Sequence, residues 1–307
     1  MKRSLFLAGM LLPVFTYSQS TDSSRPSKLT TTSPRLGGIN ITNLVAPIRA
    51  DGNTFIMQTP VVDIGIPVYK NFRSKHPVLL KTGIRYQGLF LSNEKNISST
   101  NFHSITIPLL FNYSISRCTS ISFIGLASAG SDFKRNLERK DILYTVGVRI
   151  GFRQDKAFKY GVTLTYTDNY AGKYLLPIPD IDWTISKRLS LTGVLPARVS
   201  FKYKVSATQS LGLTASISGA MYRLNQNQTA QYLHLRQNSG GLIYDLTMSK
   251  RWKLNLVAGH TFMQRLETFN IDQKVSLNGF GKLNDRVSNI SYHQNSFIFQ
   301  GGISYQF

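Results

Sequence analysis

From about Ile39 onward the chain alternates between apolar and polar positions with a period of two, in segments rich in Tyr, Phe, Val, Ile and Thr. That period is the signature of strands with one greasy and one wet face. Leu80, Thr82, Ile84 and Tyr86 alternate with Lys81, Gly83, Arg85 and Gln87. Tyr144, Val146, Val148, Ile150 and Phe152 alternate with Thr145, Gly147, Arg149, Gly151 and Arg153, and Tyr160, Val162, Leu164 and Tyr166 with Gly161, Thr163 and Thr165. Val199, Phe201, Tyr203 and Val205 alternate with Arg198, Ser200, Lys202 and Lys204, a polar face dominated by cations.

Six short turns of one style, carrying Ser, Lys, Arg, Asp or Gln, separate these segments at 72–76, 116–119, 154–157, 186–188, 206–209 and 249–251. Longer connections fall near 92–101, 130–141, 169–177, 224–231 and 267–294. Short hairpins on one side and long ones on the other are the layout of an outer-membrane barrel. Each short turn joins two strands. With the terminal strand and an opening strand over 39–46, the pattern predicts an all-β, closed antiparallel transmembrane barrel of about fourteen strands, with twelve as the alternative. The 189–205 stretch is the irregular part, because Leu195-Pro196-Ala197 must turn two strands shorter than the rest.

A soluble sandwich alternates in the same way, so the two ends of the chain bear on the choice. Met1-Lys2-Arg3, an apolar run over 5–15 and Thr16-Tyr17-Ser18 make a secretory signal peptide, with cleavage expected after Ser18. The run is too short for a membrane-spanning helix, and Lys, Arg, Asn or Gln interrupts every later apolar stretch. A polar tail over 19–35 would then precede a barrel over 36–307. The last residues, Phe297-Ile298-Phe299-Gln300-Gly301-Gly302-Ile303-Ser304-Tyr305-Gln306-Phe307, resemble the closing strand of outer-membrane barrels. That resemblance implies Tyr305 and Phe307 as the signal read by the barrel-assembly machinery.

Charge sharpens the picture of the interior. Lys and Arg number 36 against 15 acids, and the greasy faces must meet acyl chains, so a cationic lumen is expected from Lys81, Arg85, Arg149, Arg198, Lys202 and Lys204. Asp180 and Asp182 share a face opposite Ile181 and Trp183, which turns both carboxylates inward if Trp183 faces lipid. They could form a charge-selective constriction, but interior ion pairs that fill and stiffen the barrel are the favoured reading.

Catalytic chemistry finds little support. The chain has no nucleophile elbow, no phosphate-cradling loop and no zinc spacing among its His and Cys residues, so no catalytic residue, metal or cofactor is expected. Cys118 is the single cysteine, so no intramolecular disulfide can form. The basic run over 134–140 sits in a predicted outer connection, where phosphates of lipopolysaccharide are the nearest anions; an exported location excludes nucleic acid.

The stretch Tyr174-Leu175-Leu176-Pro177-Ile178-Pro179-Asp180-Ile181-Asp182-Trp183-Thr184-Ile185-Ser186-Lys187-Arg188-Leu189-Ser190-Leu191, followed by Val194-Leu195-Pro196-Ala197, resembles a family of uncharacterised outer-membrane barrels of Bacteroidetes-type bacteria, known only as a domain of unknown function. The resemblance implies fold and location and no activity. The expected role is a pore or solute-uptake barrel in the outer membrane. The alternatives are a structural or surface barrel with a closed lumen and, more remotely, a lipid-modifying enzyme. Lipids, lipopolysaccharide and the assembly machinery are the expected partners.

Overall fold

The computed structural model describes residues 37–307 apart from 51–52, 137, 226–229, 274 and 278–285. The signal peptide and the tail expected over 1–35 lie outside the described residues. The strands are β1 (Gly38–Ala50), β2 (Asn53–Asn71), β3 (Val78–Ser92), β4 (Asn101–Ser114), β5 (Thr119–Ser131), β6 (Ile142–Arg153), β7 (Phe158–Asn169) and β8 (Gly172–Thr184). They continue with β9 (Leu189–Val194), β10 (Arg198–Lys204), β11 (Gln209–Leu224), β12 (Gln231–Thr247), β13 (Trp252–Asn270), β14 (Val275–Leu277), β15 (Ile290–His293) and β16 (Phe297–Gln306). Each of β1 to β13 pairs antiparallel with its neighbour in sequence. Strand β16 pairs with both β13 and β1, closing a barrel of fourteen strands.

Closure gives every strand of the ring a hydrogen-bonded neighbour on each side, the way a sheet meets the demands of hydrocarbon. The greasy faces point outward: Val162, Leu164 and Tyr166 are exposed, whereas Thr163, Thr165 and Thr167 on the same strand are buried in the interior. The four-residue turns share a mechanism. In four of them a serine oxygen, Ser116, Ser186, Ser206 or Ser249, accepts hydrogen bonds from the backbone N–H groups two and three residues on, and Asp155 does the same in a fifth. All six expected short turns lie at the end where the beginning of β1 meets the end of β16, with Phe307 N donating to Gly37 O.

Two expected boundaries are corrected. The long connection expected near 169–177 is a two-residue turn, Tyr170-Ala171, and 172–177 belongs to β8. Asn169 Oδ1 accepts from the N–H groups of Ala171 and Gly172 at 2.7 and 3.2 Å, an Asx turn tight enough to reverse the chain in two residues. The connection expected over 267–294 begins only after β13 ends at Asn270, and β15 extends the wall beside β13.

The interior changes character along its length. Toward the end carrying the short turns it is polar. Toward the opposite end, Ala46, Ile48, Phe55, Met57, Leu89, Leu91, Phe102, Tyr222, Leu233, Leu266 and Tyr292 belong to one packed apolar cluster that fills it. Strand β11 crosses this region: Arg223 pairs with Ser131 of β5, and Asp132 N donates to Arg223 O at 3.2 Å. Its Ala220, Tyr222 and Leu224 pack into the first cluster, while Met221 joins a second with Tyr170, Tyr174, Tyr232 and Phe269. A strand buried on both faces is an internal wall. Gly130 permits the crossing, since a Cβ there would lie 2.7 Å from Met221 O.

Candidate functional site: the lumen

The polar half of the lumen is organised by ion pairs that reach across strands. Arg149 on β6 grips Asp180 on β8 with two parallel hydrogen bonds, Nε to Oδ2 and Nη2 to Oδ1, both 2.7 Å. The fork-on-fork geometry fixes direction as well as distance. Strand β7 lies between the partners, and they meet over Gly161, where a Cβ would come within 2.6 Å of Arg149 Nη2. Here the absence of a side chain makes room for the pair.

Lys202 on β10 reaches Asp245 on β12 in the same manner, past β11. Asp245 also accepts from Asn255 Nδ2 at 2.6 Å and, more distantly, from Ser210 Oγ at 3.4 Å. Arg85 and Asp63 face each other in register on β3 and β2, with Nε and Oδ1 3.5 Å apart. Three of the expected lumen cations therefore sit against carboxylates. A buried pair offsets desolvation best where further hydrogen bonds satisfy the carboxylate oxygens, as Asn255 and Ser210 do for Asp245.

The remaining expected site residues fall as follows. Lys81 is buried on the wet face of β3. Asp182 lines a small pocket of about 50 Å³ at the short-turn rim with Arg117, Arg153 and Lys159. Arg198 lines a larger cavity of about 220 Å³ in mid-barrel, and Lys204 lies partly exposed at the end of β10. Tyr305 packs against Trp252 and Phe307, with ring centroids 4.8 and 6.0 Å away, and accepts a hydrogen bond from Arg251 Nη1 at 3.1 Å.

The mid-barrel cavity lies directly beneath the first apolar cluster, and Leu235 and Ile298 belong to both. Two connections complete that cluster. The Glu94 carboxylate accepts from the N–H groups of Asn96 and Ile97, both at 2.8 Å, and from Tyr292 Oη at 2.6 Å. This clasp joins the 93–100 connection to β15 and seats Ile97 and Tyr292 in the plug. The plug residues were invisible as a group to sequence reasoning, because they are dispersed among strands far apart in the chain. Asp63 and Asp245 were legible in principle, each being an acid on the wet side of an alternating strand.

Among the described residues, His293 is the histidine that meets an acid. Ser291 Oγ and His293 Nε2 both contact the Glu267 carboxylate, at 3.4 and 3.2 Å, and Arg236 pairs with the same group. The acid thus collects its neighbours into a charge-balanced network. Among the described residues, no cluster of three or more His, Cys, Asp or Glu side chains is placed to hold a metal ion.

A family model described as a domain of unknown function (DUF6268) matches residues 56–306. No curated protein matches the chain. Similar solved structures include the KdgM porin, at 8% identity over 88% of this chain and 99% of that one with a TM-score of 0.34. They also include the toluene transporter TodX of P. putida, at 8% identity over 88% of each chain with a TM-score of 0.35. A third is the translocator domain of the autotransporter NalP from Neisseria meningitidis, at 11% identity over 91% of this chain and 90% of that one with a TM-score of 0.31.

Proposed function

The chain belongs to the family described as a domain of unknown function (DUF6268), which assigns no activity, so we propose a role from the geometry: an outer-membrane solute channel that is shut at its long-connection end by an apolar plug and conducts when the plug moves. The observation that carries this reading is the stacking of the two halves. A cavity of about 220 Å³, lined by Asp63, Arg85, Gln87, Arg198 and Gln237, lies directly under a closely packed apolar cluster. A wet lumen ending at an apolar constriction is the construction of a gate that excludes ions by drying the path.

Arg198 beside the cavity favours anions in transit, while the paired cations hold the wall in shape. The neighbouring plug elements are suited to movement, because Ile97 and Tyr292 come from short segments held together through Glu94. A second reading, a structural barrel with a permanently closed lumen, draws on the same apolar clusters.

Planar-bilayer recordings separate the two. The wild-type protein is expected to be nearly silent, and the double variant Phe55→Ala, Tyr222→Ala to open steady anion-selective currents. If the folded double variant also stays silent, the gate is no gate and the structural reading stands.

A further inference from the structure

The barrel wall contains a seam. Strands β9 and β10 span 6 and 7 residues, against 10 to 19 for the other twelve strands of the ring. Their hairpin stops beside Pro179 of β8 and Ile217 of β11, with Leu195 N donating to Pro179 O and Ile217 N to Ala197 O. Above it, β14 covers 172–174 of β8, and β11 turns away to meet β5 at Arg223. Among the described residues, 175–178 of β8, an edge of about 13 Å, have no ladder partner on the side facing β11.

The depth of this edge matters. Leu175 and Pro177 pair across β7 with Tyr166 and Leu164, both of which point outward from the apolar belt. An unpaired edge in hydrocarbon is costly, chiefly through its unsatisfied N–H groups. Here the sequence removes most of them: Pro179 directs its carbonyl at the hairpin, so by strand alternation Leu175, Pro177 and Pro179 face the seam, and the two prolines bring no N–H to it. Side chains, Tyr174, Leu176 and Met221 among them, pack across the interior side of the seam in place of hydrogen bonds. The tip of the short hairpin, Ala197 and Arg198, lines the mid-barrel cavity together with Ile217 and Gly219.

We propose that this seam is a lateral portal through which a single-chain anionic amphiphile passes between the bilayer and the mid-barrel cavity. The chain enters between β8 and β11 where only side-chain packing holds the wall, and its head group meets the Arg198 guanidinium. Leu44, Val61, Val257 and Ile298 on the cavity wall receive the hydrocarbon. The portal does not depend on whether the apolar plug gates ion flow, and it is read by a different measurement.

The test uses the full-length protein in phospholipid vesicles containing a diazirine-bearing long-chain carboxylic acid, with the sites of photolabelling mapped by peptide mass spectrometry. Labelling is expected at 195–198 and 217–219 in addition to lipid-facing positions such as Leu164. Arg198→Gln and, separately, Ala197→Trp should each lower the interior labelling about tenfold and leave Leu164 labelling unchanged. Labelling confined to the lipid-facing exterior, or interior labelling indifferent to both substitutions, would overturn the portal. Equal interior labelling by the matching long-chain alcohol would overturn the assignment of an anionic head group. Because bilayer currents play no part, failure here leaves the channel reading intact, and silence in the bilayer leaves this one intact.

Discussion

Arg149 and Asp180 show how a single residue pair organises the polar lumen. Their side chains are 14% and 7% exposed, so each charge has exchanged water for its partner. Removing one partner leaves the other buried and uncompensated, a loss of about 3–5 kcal/mol, whereas removing both costs much less. Asp180→Asn is therefore expected to destabilise the barrel strongly in urea unfolding from lipid vesicles, and Arg149→Met combined with Asp180→Asn to recover most of the loss. Additive losses in that cycle would show that the two groups do not act as a pair. The wet-face position of both residues could be read from alternation. Their pairing across an intervening strand could not, since it depends on Gly161 leaving room and on the tilt of the barrel.

At the scale of elements, the crossing of β11 to β5 divides the outer half of the interior into two packed compartments. It rests on a close backbone approach at Gly130 and on the Asp132 N to Arg223 O hydrogen bond. A Gly130→Val side chain would collide with the Met221 carbonyl, at an overpacking cost of about 1–3 kcal/mol. The expected outcome is a lower urea midpoint with a larger loss of amide-exchange protection in β11 than in β7. Equal loss in both strands would show that the crossing is not a distinct element. Strand existence and the six serine- or aspartate-containing turns followed from local pattern. The two-residue turn at Tyr170 was misread as a long connection, because Tyr170-Ala171-Gly172-Lys173 looks polar and irregular while its Asx geometry is set by one Asn169 oxygen.

For the whole molecule, the final strand completes the ring by pairing on both sides at once. Its aromatic end, Tyr305 between Trp252 and Phe307, sits at the short-turn rim. Truncating Tyr305 to Ala removes two ring contacts, each worth roughly 0.5–1.5 kcal/mol beyond burial. The variant is expected to lose stability by a comparable total in vesicle refolding titrations. Removing Phe307 in cells is expected to lower the yield of folded barrel through the assembly step, with refolding of purified chains much less affected. Equal defects in both settings would place the role of Phe307 in stability alone.

Alternation, turn residues and the terminal aromatics were enough to predict an antiparallel barrel of about fourteen strands, with twelve left open, and which side of each strand faces outward; closure in three dimensions decided for fourteen. Those properties are local: a period of two assigns faces within a few residues, and each serine-containing turn satisfies its own backbone. The apolar plug, the β11 crossing, the seam beside Pro177 and the partner of each lumen charge were settled only in three dimensions. Each joins residues brought together by closure of the ring, where strand tilt and the shortness of β9 and β10 decide which side chains meet.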